Sequence, residues 1–212
     1  MKTLPPPLSP SPPLPLFPIA GVDEVGRGAL FGPVVAAAVI LPEQELETLK
    51  QLGVKDSKQL SAKKRCQLAK VIPEVAVDCQ IGKASVAEID RLNILGASLL
   101  AMKRAIYKLN PVPGLCLIDG NQPIPHLSIP QETIIKGDSQ SVVIAAASIV
   151  AKVWRDELII RLARKYPEYD LIHNKGYGTV KHRQAIAQYG LTYQHRSSFQ
   201  ISNSQLSLFD IS

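Results

Sequence analysis

The chain has 212 residues, 46% of them hydrophobic and 20% charged, which fits one soluble globular domain with tails. Lys and Arg number 24 against 18 Asp and Glu, and the resulting formal charge of +6 favours a polyanionic partner. Three widely spaced cysteines (Cys66, Cys79, Cys116) exclude a disulfide framework and a cysteine zinc cluster, and no run of 18 uncharged apolar residues offers a membrane span.

Eight prolines fall within the first 18 residues. They preclude helix and central strand, so residues 1–17 are expected to form an extended, disordered leader, and they break any signal-peptide core. Pro18 to Val25 reads as a buried strand, with Ile19-Ala20-Gly21-Val22 running into charge. A glycine-rich turn joins it to a second strand, Pro33 to Leu41. Val75 to Ala84 alternates well enough for a third, and the three suggest an antiparallel meander. Before that third strand, Ser61 caps a helix expected to stop at Pro73. Ser85-Val86-Ala87-Glu88 is a capping box, and Asn93 to Leu109 has helical composition. Leu115 to Ile118 is a short strand delivering Asp119 at its end, and Ser128 to Ile135 is an edge or broken strand because of Pro130. Ser141 to Tyr166 is a long helix ended by Pro167, and Lys181 to Tyr189 is a last one closed by Gly190. The order implies an α/β domain over 18–200, a central mixed sheet with helices around it. Residues 201–212 are expected to form a flexible tail.

Four carboxylates sit where anions are awkward for stability. Asp23 and Glu24 follow the first apolar run, Asp119 follows Leu115-Cys116-Leu117-Ile118, and Asp138 follows Ile134-Ile135-Lys136-Gly137. Each one alone reads as a turn residue or a helix cap, Asp138 above all. Together, at the ends of buried elements, they read as a metal site, because converging carboxylates repel unless a hard cation joins them. Oxygen ligands suit Mg2+ or Mn2+. Adjacent strand residues point to opposite faces, so Asp23 and Glu24 should meet only if the strand ends or bulges there.

The segment Gly21-Val22-Asp23-Glu24-Val25-Gly26-Arg27-Gly28 resembles the signature of type 2 ribonuclease H, the ribonuclease HII family. The resemblance continues, in the family's order, through Asp56-Ser57-Lys58-Gln59-Leu60, Ile118-Asp119-Gly120-Asn121 and Lys136-Gly137-Asp138. It goes on through Ala145 to Lys152, Arg155-Asp156, Lys175 to Thr179 and His195-Arg196. It implies an RNase H-like fold and endonucleolytic cleavage of RNA in RNA–DNA hybrids and at ribonucleotides embedded in duplex DNA. It implies further that Asp23, Glu24, Asp119 and Asp138 are the catalytic metal-binding acids. Two metal ions would then leave a 5′-phosphate and a 3′-hydroxyl. Gly26, Arg27 and Gly28 resemble the loop that reads the ribose, and Tyr177 the tyrosine that packs on the following sugar. Lys58, Lys152 and Lys175 are candidate phosphate contacts. Asp156 is expected to partner an arginine, and His182 and His195 are structural or face nucleic acid. The sister type, ribonuclease HIII, adds a folded N-terminal domain, whereas a proline-rich leader stands here.

In the tail, Gln205-Leu206-Ser207-Leu208-Phe209 looks like the peptide by which bacterial repair proteins dock on the sliding clamp. Leu206, Leu208 and Phe209 would fill an apolar pocket and Gln205 would hydrogen-bond; the rival is folding back onto the chain's own surface. A monomeric, cytoplasmic enzyme is expected. A phosphotransferase would need a nucleotide-phosphate loop, and the pattern GxxxxGK[ST] does not occur. A non-enzymatic nucleic-acid-binding module would explain the charge but not the acids.

Overall fold

The computed structural model describes residues 18–55 and 57–199. The leader 1–17, Asp56, Gln200 and the tail 201–212 lie outside the described residues.

Strands β1 (Ile19–Val25), β2 (Val34–Ile40) and β3 (Asp78–Ala84) pair antiparallel, as the expected meander requires. β4 (Leu115–Asp119) pairs with β1 in parallel, and β5 (Gln131–Ile134) with β4. The mixed sheet has the order β3-β2-β1-β4-β5. The helices, in chain order, are α1 (Glu43–Gln51), α2 (Ala62–Val75), α3 (Val86–Ile106), α4 (Gly137–Gln140), α5 (Val142–Ala163), α6 (Leu171–Asn174) and α7 (Val180–Tyr189).

Alternate strand residues feed two cores, one on each face of the sheet. Ala20, Val22, Ala36 and Ala38 pack with Ala97, Ala101 and Ala105 of α3. Ala37 and Val39 pack with Ala146, Ala147 and Val150 of α5 and with Leu68 and Ile72 of α2. β2 is buried at every position, which explains an apolar run without alternation. A third cluster, around Phe31, Ile159, Tyr169 and Leu171, supports the C-terminal lobe.

A glycine in the sheet lets each of α5 and α3 come close to it. A Cβ at Gly21 would lie 2.3 Å from the Val143 carbonyl carbon, and one at Gly82 would lie 2.0 Å from the Ala101 oxygen. Two strand residues advance about 6.7 Å and four to five helix residues about 6–7.5 Å. The Gly21–Val143 contact therefore sets Ser148 of α5 over Asp23.

Several boundaries differ from the sequence reading. α2 continues past Pro73 to Val75, because a proline in the last turn forfeits a single backbone bond and Ala76 still donates to Ile72. The third strand therefore starts at Asp78. α3 spans both predicted helical segments and breaks at Asn93 (φ 60°, ψ 172°). The Asn93 side-chain oxygen accepts from the amides of Leu95 and Gly96 at 2.9 and 3.1 Å, capping a fresh helical start there. α1, α4 and α6 were not anticipated.

Candidate active site

β1 and β4 run parallel, so their carboxyl ends emerge at one edge of the sheet, where open α/β sheets hold ligands. Their pairing stops at Val22 and Ile118, and Asp23, Glu24 and Asp119 follow at once. β1 meanwhile stays in register with β2 through Val25, with Asp23 opposite Ala37 and Glu24 opposite Ala36. Of the two expected alternatives, the strand end holds and the bulge does not: β1 runs regularly and ends at Val25, after the β4 side has already opened. Asp23 leaves the α5 face, and the longer Glu24 leaves the α3 face, where it lines a small cavity with Ser98 and Met102. Both carboxylates reach the opening. One oxygen from each of Asp23, Glu24 and Asp119 lies within 4.8 Å of the others.

Asp138 is not among that group. It is buried in the first turn of α4, directly after Gly137, whose amide donates to Asp119 Oδ1 at 2.7 Å.

Burial pushes the Asp23 carboxyl well above the usual carboxylate range, and the charges of Glu24 and Asp119 push it further. The Ser148 hydroxyl and the Glu24 amide, 2.6 Å from Asp23 Oδ1, oppose this without cancelling it. Glu24 is also raised, chiefly by burial; Arg27 Nη1, 3.1 Å from Glu24 Oε1, pulls the other way. Three crowded oxygen donors, with Asp23 and Glu24 disfavoured as anions, are the donor set a hard divalent cation would relieve, so the residues present fit such an ion.

The acids floor an open cavity of about 510 Å3 that Gly26, Arg27, Gly28, Lys152 and Tyr177 also line. Gly26 takes a φ of 91°, and a Cβ there would lie 2.1 Å from Arg155 Nε. Gly28 is exposed, with no atom within 4 Å of its missing Cβ. The Tyr177 ring faces Lys152 Nζ and the Arg155 guanidinium, each 5.5 Å from its centroid.

The other predicted residues divide. Lys175 is not on the cavity wall, and its Nζ donates to the Ile172 carbonyl. The Lys58 side chain lies outside the described residues, as do Gln205, Leu206, Leu208 and Phe209. Asp156 pairs with Lys152 at 2.9 Å rather than with an arginine, because Lys152 stands one helical turn earlier on the same face. His182 and His195 are buried and bonded to each other, which makes them structural.

Several residues had no role assigned from sequence. Ser57 and Arg65 line the cavity, and the Ser57 hydroxyl lies 2.9 Å from that of Ser148. Arg155, fully buried, donates to the carbonyls of Phe31, Pro33 and Lys175. Arg196 donates to those of Gly32 and Arg27. The two arginines thus hold the glycine loop from beneath. Arg155 stands among Lys152, Asp156 and Glu157, so its position in the sequence did not mark it as buried.

Residues 20–202 match the family model described as Ribonuclease HII. The chain is 67% identical to a ribonuclease HII of Trichodesmium erythraeum, over 91% of this chain and 90% of that one. It is 62% identical to a ribonuclease HII of Acaryochloris marina, over 85% and 91%. Among solved structures it resembles the RNase HII of Archaeoglobus fulgidus, seen in a complex with PCNA. That likeness has a TM-score of 0.74 at 28% identity, over 91% of this chain and 100% of that one.

Proposed function

Because the chain belongs to the ribonuclease HII family, metal-dependent endonucleases acting on RNA–DNA hybrids, we propose that it also nicks duplex DNA on the 5′ side of an embedded ribonucleotide. The observation that carries this reading is the placement of three carboxylates within 4.8 Å of one another beneath the rim formed by Gly26, Arg27, Gly28 and Tyr177. Two divalent ions, Mg2+ or Mn2+, would supply an activated water and stabilise the departing 3′ oxygen, leaving a 5′-phosphate and a 3′-hydroxyl.

The protein's own groups do the rest. Asp23, Glu24 and Asp119 would hold the ions, oriented by Ser148 on Asp23 and by the Gly137 amide on Asp119. Asp138 is the fourth acid on the family pattern, although its carboxylate stands outside the group of three. The open backbone at Gly28 lets the loop approach a ribose, where an amide can meet the 2′-hydroxyl that distinguishes RNA from DNA. Tyr177 offers an aromatic face to the next sugar, and Lys152 beside it offers charge to a phosphate.

Residues 18–200 are proposed as the catalytic domain, acting as a monomer, and 201–212 as a tail that docks on a sliding clamp. The Archaeoglobus fulgidus relative, seen in a complex with the clamp PCNA, supports a clamp as a partner. The cysteines, free among the described residues, suit a reducing cytoplasm.

Asp119→Asn tests the acid assignment. Nicking of a duplex with one ribonucleotide should fall by more than about 100-fold, since even outer-shell partners of a metal are worth 10–100-fold. Turnover at the wild-type level would remove Asp119 from the site.

A further inference from the structure

The glycine loop and Tyr177 come from distant stretches of chain; the Leu30 and Phe31 amides join them directly by donating to the Gly176 carbonyl at 2.8 and 3.2 Å, and a further segment, residues 192–199, is bonded toward both. Its Arg196 donates through the backbone amide to the Leu30 carbonyl at 2.9 Å and through the side chain to Arg27 at 2.8 Å and Gly32 at 3.0 Å. Ser197 and Ser198 anchor the segment on the Asp90 carboxylate of α3. In the other direction, His195 Nε2 lies 3.2 Å from His182 Nε2, and His182 Nδ1 lies 2.9 Å from the Tyr177 carbonyl.

The proton positions in this chain follow from its two ends. The Thr192 amide can only donate, so His195 Nδ1, 3.0 Å away, accepts. A neutral His195 then carries its proton on Nε2 and donates to His182 Nε2. His182 in turn carries its proton on Nδ1, where the Tyr177 carbonyl accepts it. One arrangement satisfies every member. Both rings are kept neutral near pH 7, because burial lowers their pKa values, that of His195 to about 4. Phe31 and Tyr169 wall the pair, with ring centroids 5.0 and 4.8 Å from His195. Apolar side chains would fill this space equally well, so the His182 hydrogen bond serves, beside the backbone bonds of Tyr177 to Asn174 and Thr179, to set where the Tyr177 backbone sits.

We propose that His182 and His195 are positioning residues for substrate selection: with Arg196, and beside the backbone bonds from Leu30 and Phe31 to Gly176, they set the distance between Tyr177 and Gly26-Arg27-Gly28, and that distance selects an isolated ribonucleotide. The inference rests on the reading of Tyr177 and the glycine loop as the readers of the RNA–DNA junction. An isolated ribonucleotide offers one register in which the 2′-hydroxyl and the next sugar meet both readers. A long hybrid offers many, so a displaced Tyr177 harms the first substrate more than the second.

The test is the ratio of kcat/KM on a single-ribonucleotide duplex to that on a long hybrid. His182→Leu should lower this ratio roughly five- to tenfold, the size of one buried hydrogen bond, and mainly through KM. His182→Asn, whose amide can still donate to the Tyr177 carbonyl, should restore most of it. In a Tyr177→Ala background, His182→Leu should change the ratio no further, because both act through one contact. An unchanged ratio in folded His182→Leu protein, or effects that multiply with those of Tyr177→Ala, would overturn the inference. Should His182→Leu fail to fold, His195→Asn replaces it. That variant can still accept from Thr192 but falls short of His182, and it must lower the ratio in the same way for the inference to stand. If Tyr177→Ala leaves the ratio unchanged, the junction reading fails and this inference with it. If Tyr177→Ala lowers the ratio and neither histidine variant does, only the inference fails.

Discussion

Asp23 holds the least favourable charge of the acid group. It is 5% exposed and faces Glu24 and Asp119, and burial outweighs the hydrogen bonds that favour its anion. An amide of the same shape keeps the packing and removes the charge. Asp23→Asn should therefore stabilise the metal-free protein, by about 1–2 kcal/mol, while abolishing the rise in Tm that millimolar Mg2+ gives the wild type. Thermal melts with and without chelator measure both; a variant that still gains from Mg2+ as the wild type does would place the ion elsewhere. These acids were legible in the sequence because a carboxylate directly after an apolar run is conspicuous. Arg155 and Arg196 were not, since their partners are backbone carbonyls rather than acids. Phe31 lies 124 residues before Arg155, and Gly32 lies 164 before Arg196. The roles of His182 and His195 were equally hidden, because each depends on which nitrogen the other ring presents.

At the level of strands and helices, apolar runs and caps were enough to place most elements. Ser61, Ser85 and Thr179 each accept a backbone hydrogen bond at the start of a helix. What the pattern could not supply was the closeness of the layers. Gly82 and Gly28 look alike as letters, yet one is filled by its neighbours and the other is open. A Cβ at Gly82 meets α3 backbone, which no rotamer change can move; at Gly28 it meets nothing. Gly82→Ala should cost about 3 kcal/mol or more by urea denaturation, at the upper end for overpacking. Gly28→Ala should stay within about 0.5 kcal/mol of wild type yet raise KM for ribonucleotide-containing duplexes, because its methyl stands where the loop is proposed to approach the sugar. Equal stability losses at the two positions would contradict the packing; an unaltered KM for Gly28→Ala would contradict the reading of the loop. α1 escaped the sequence reading although Pro42 precedes it and Glu43 and Glu45 fill its first turn, because its apolar face is narrow and only Leu49 is buried.

Across the whole molecule, a formal charge of +6 draws in a polyanion while the cavity floor is acidic. General attraction thus brings nucleic acid to the surface, and cations in the site admit a phosphate to the floor. The proposed tail adds a third level of control. The last described stretch is fastened near the glycine loop, through Arg196 to Arg27 and through Ser197 and Ser198 to Asp90. A clamp held by the residues that follow would bring DNA to the side of the molecule where the substrate is read. Tethering then acts through local concentration, without any new contact at the acids. Deleting 201–212 should leave nicking of a short linear duplex unaltered when no clamp is present. It should remove the stimulation that a DNA-loaded clamp gives at low enzyme concentration, about 100-fold at most for a tether of this kind. Replacing Leu208 and Phe209 together by alanine should reproduce the deletion. Equal stimulation of the full-length and truncated chains would assign the clamp contact, if there is one, to the folded domain instead.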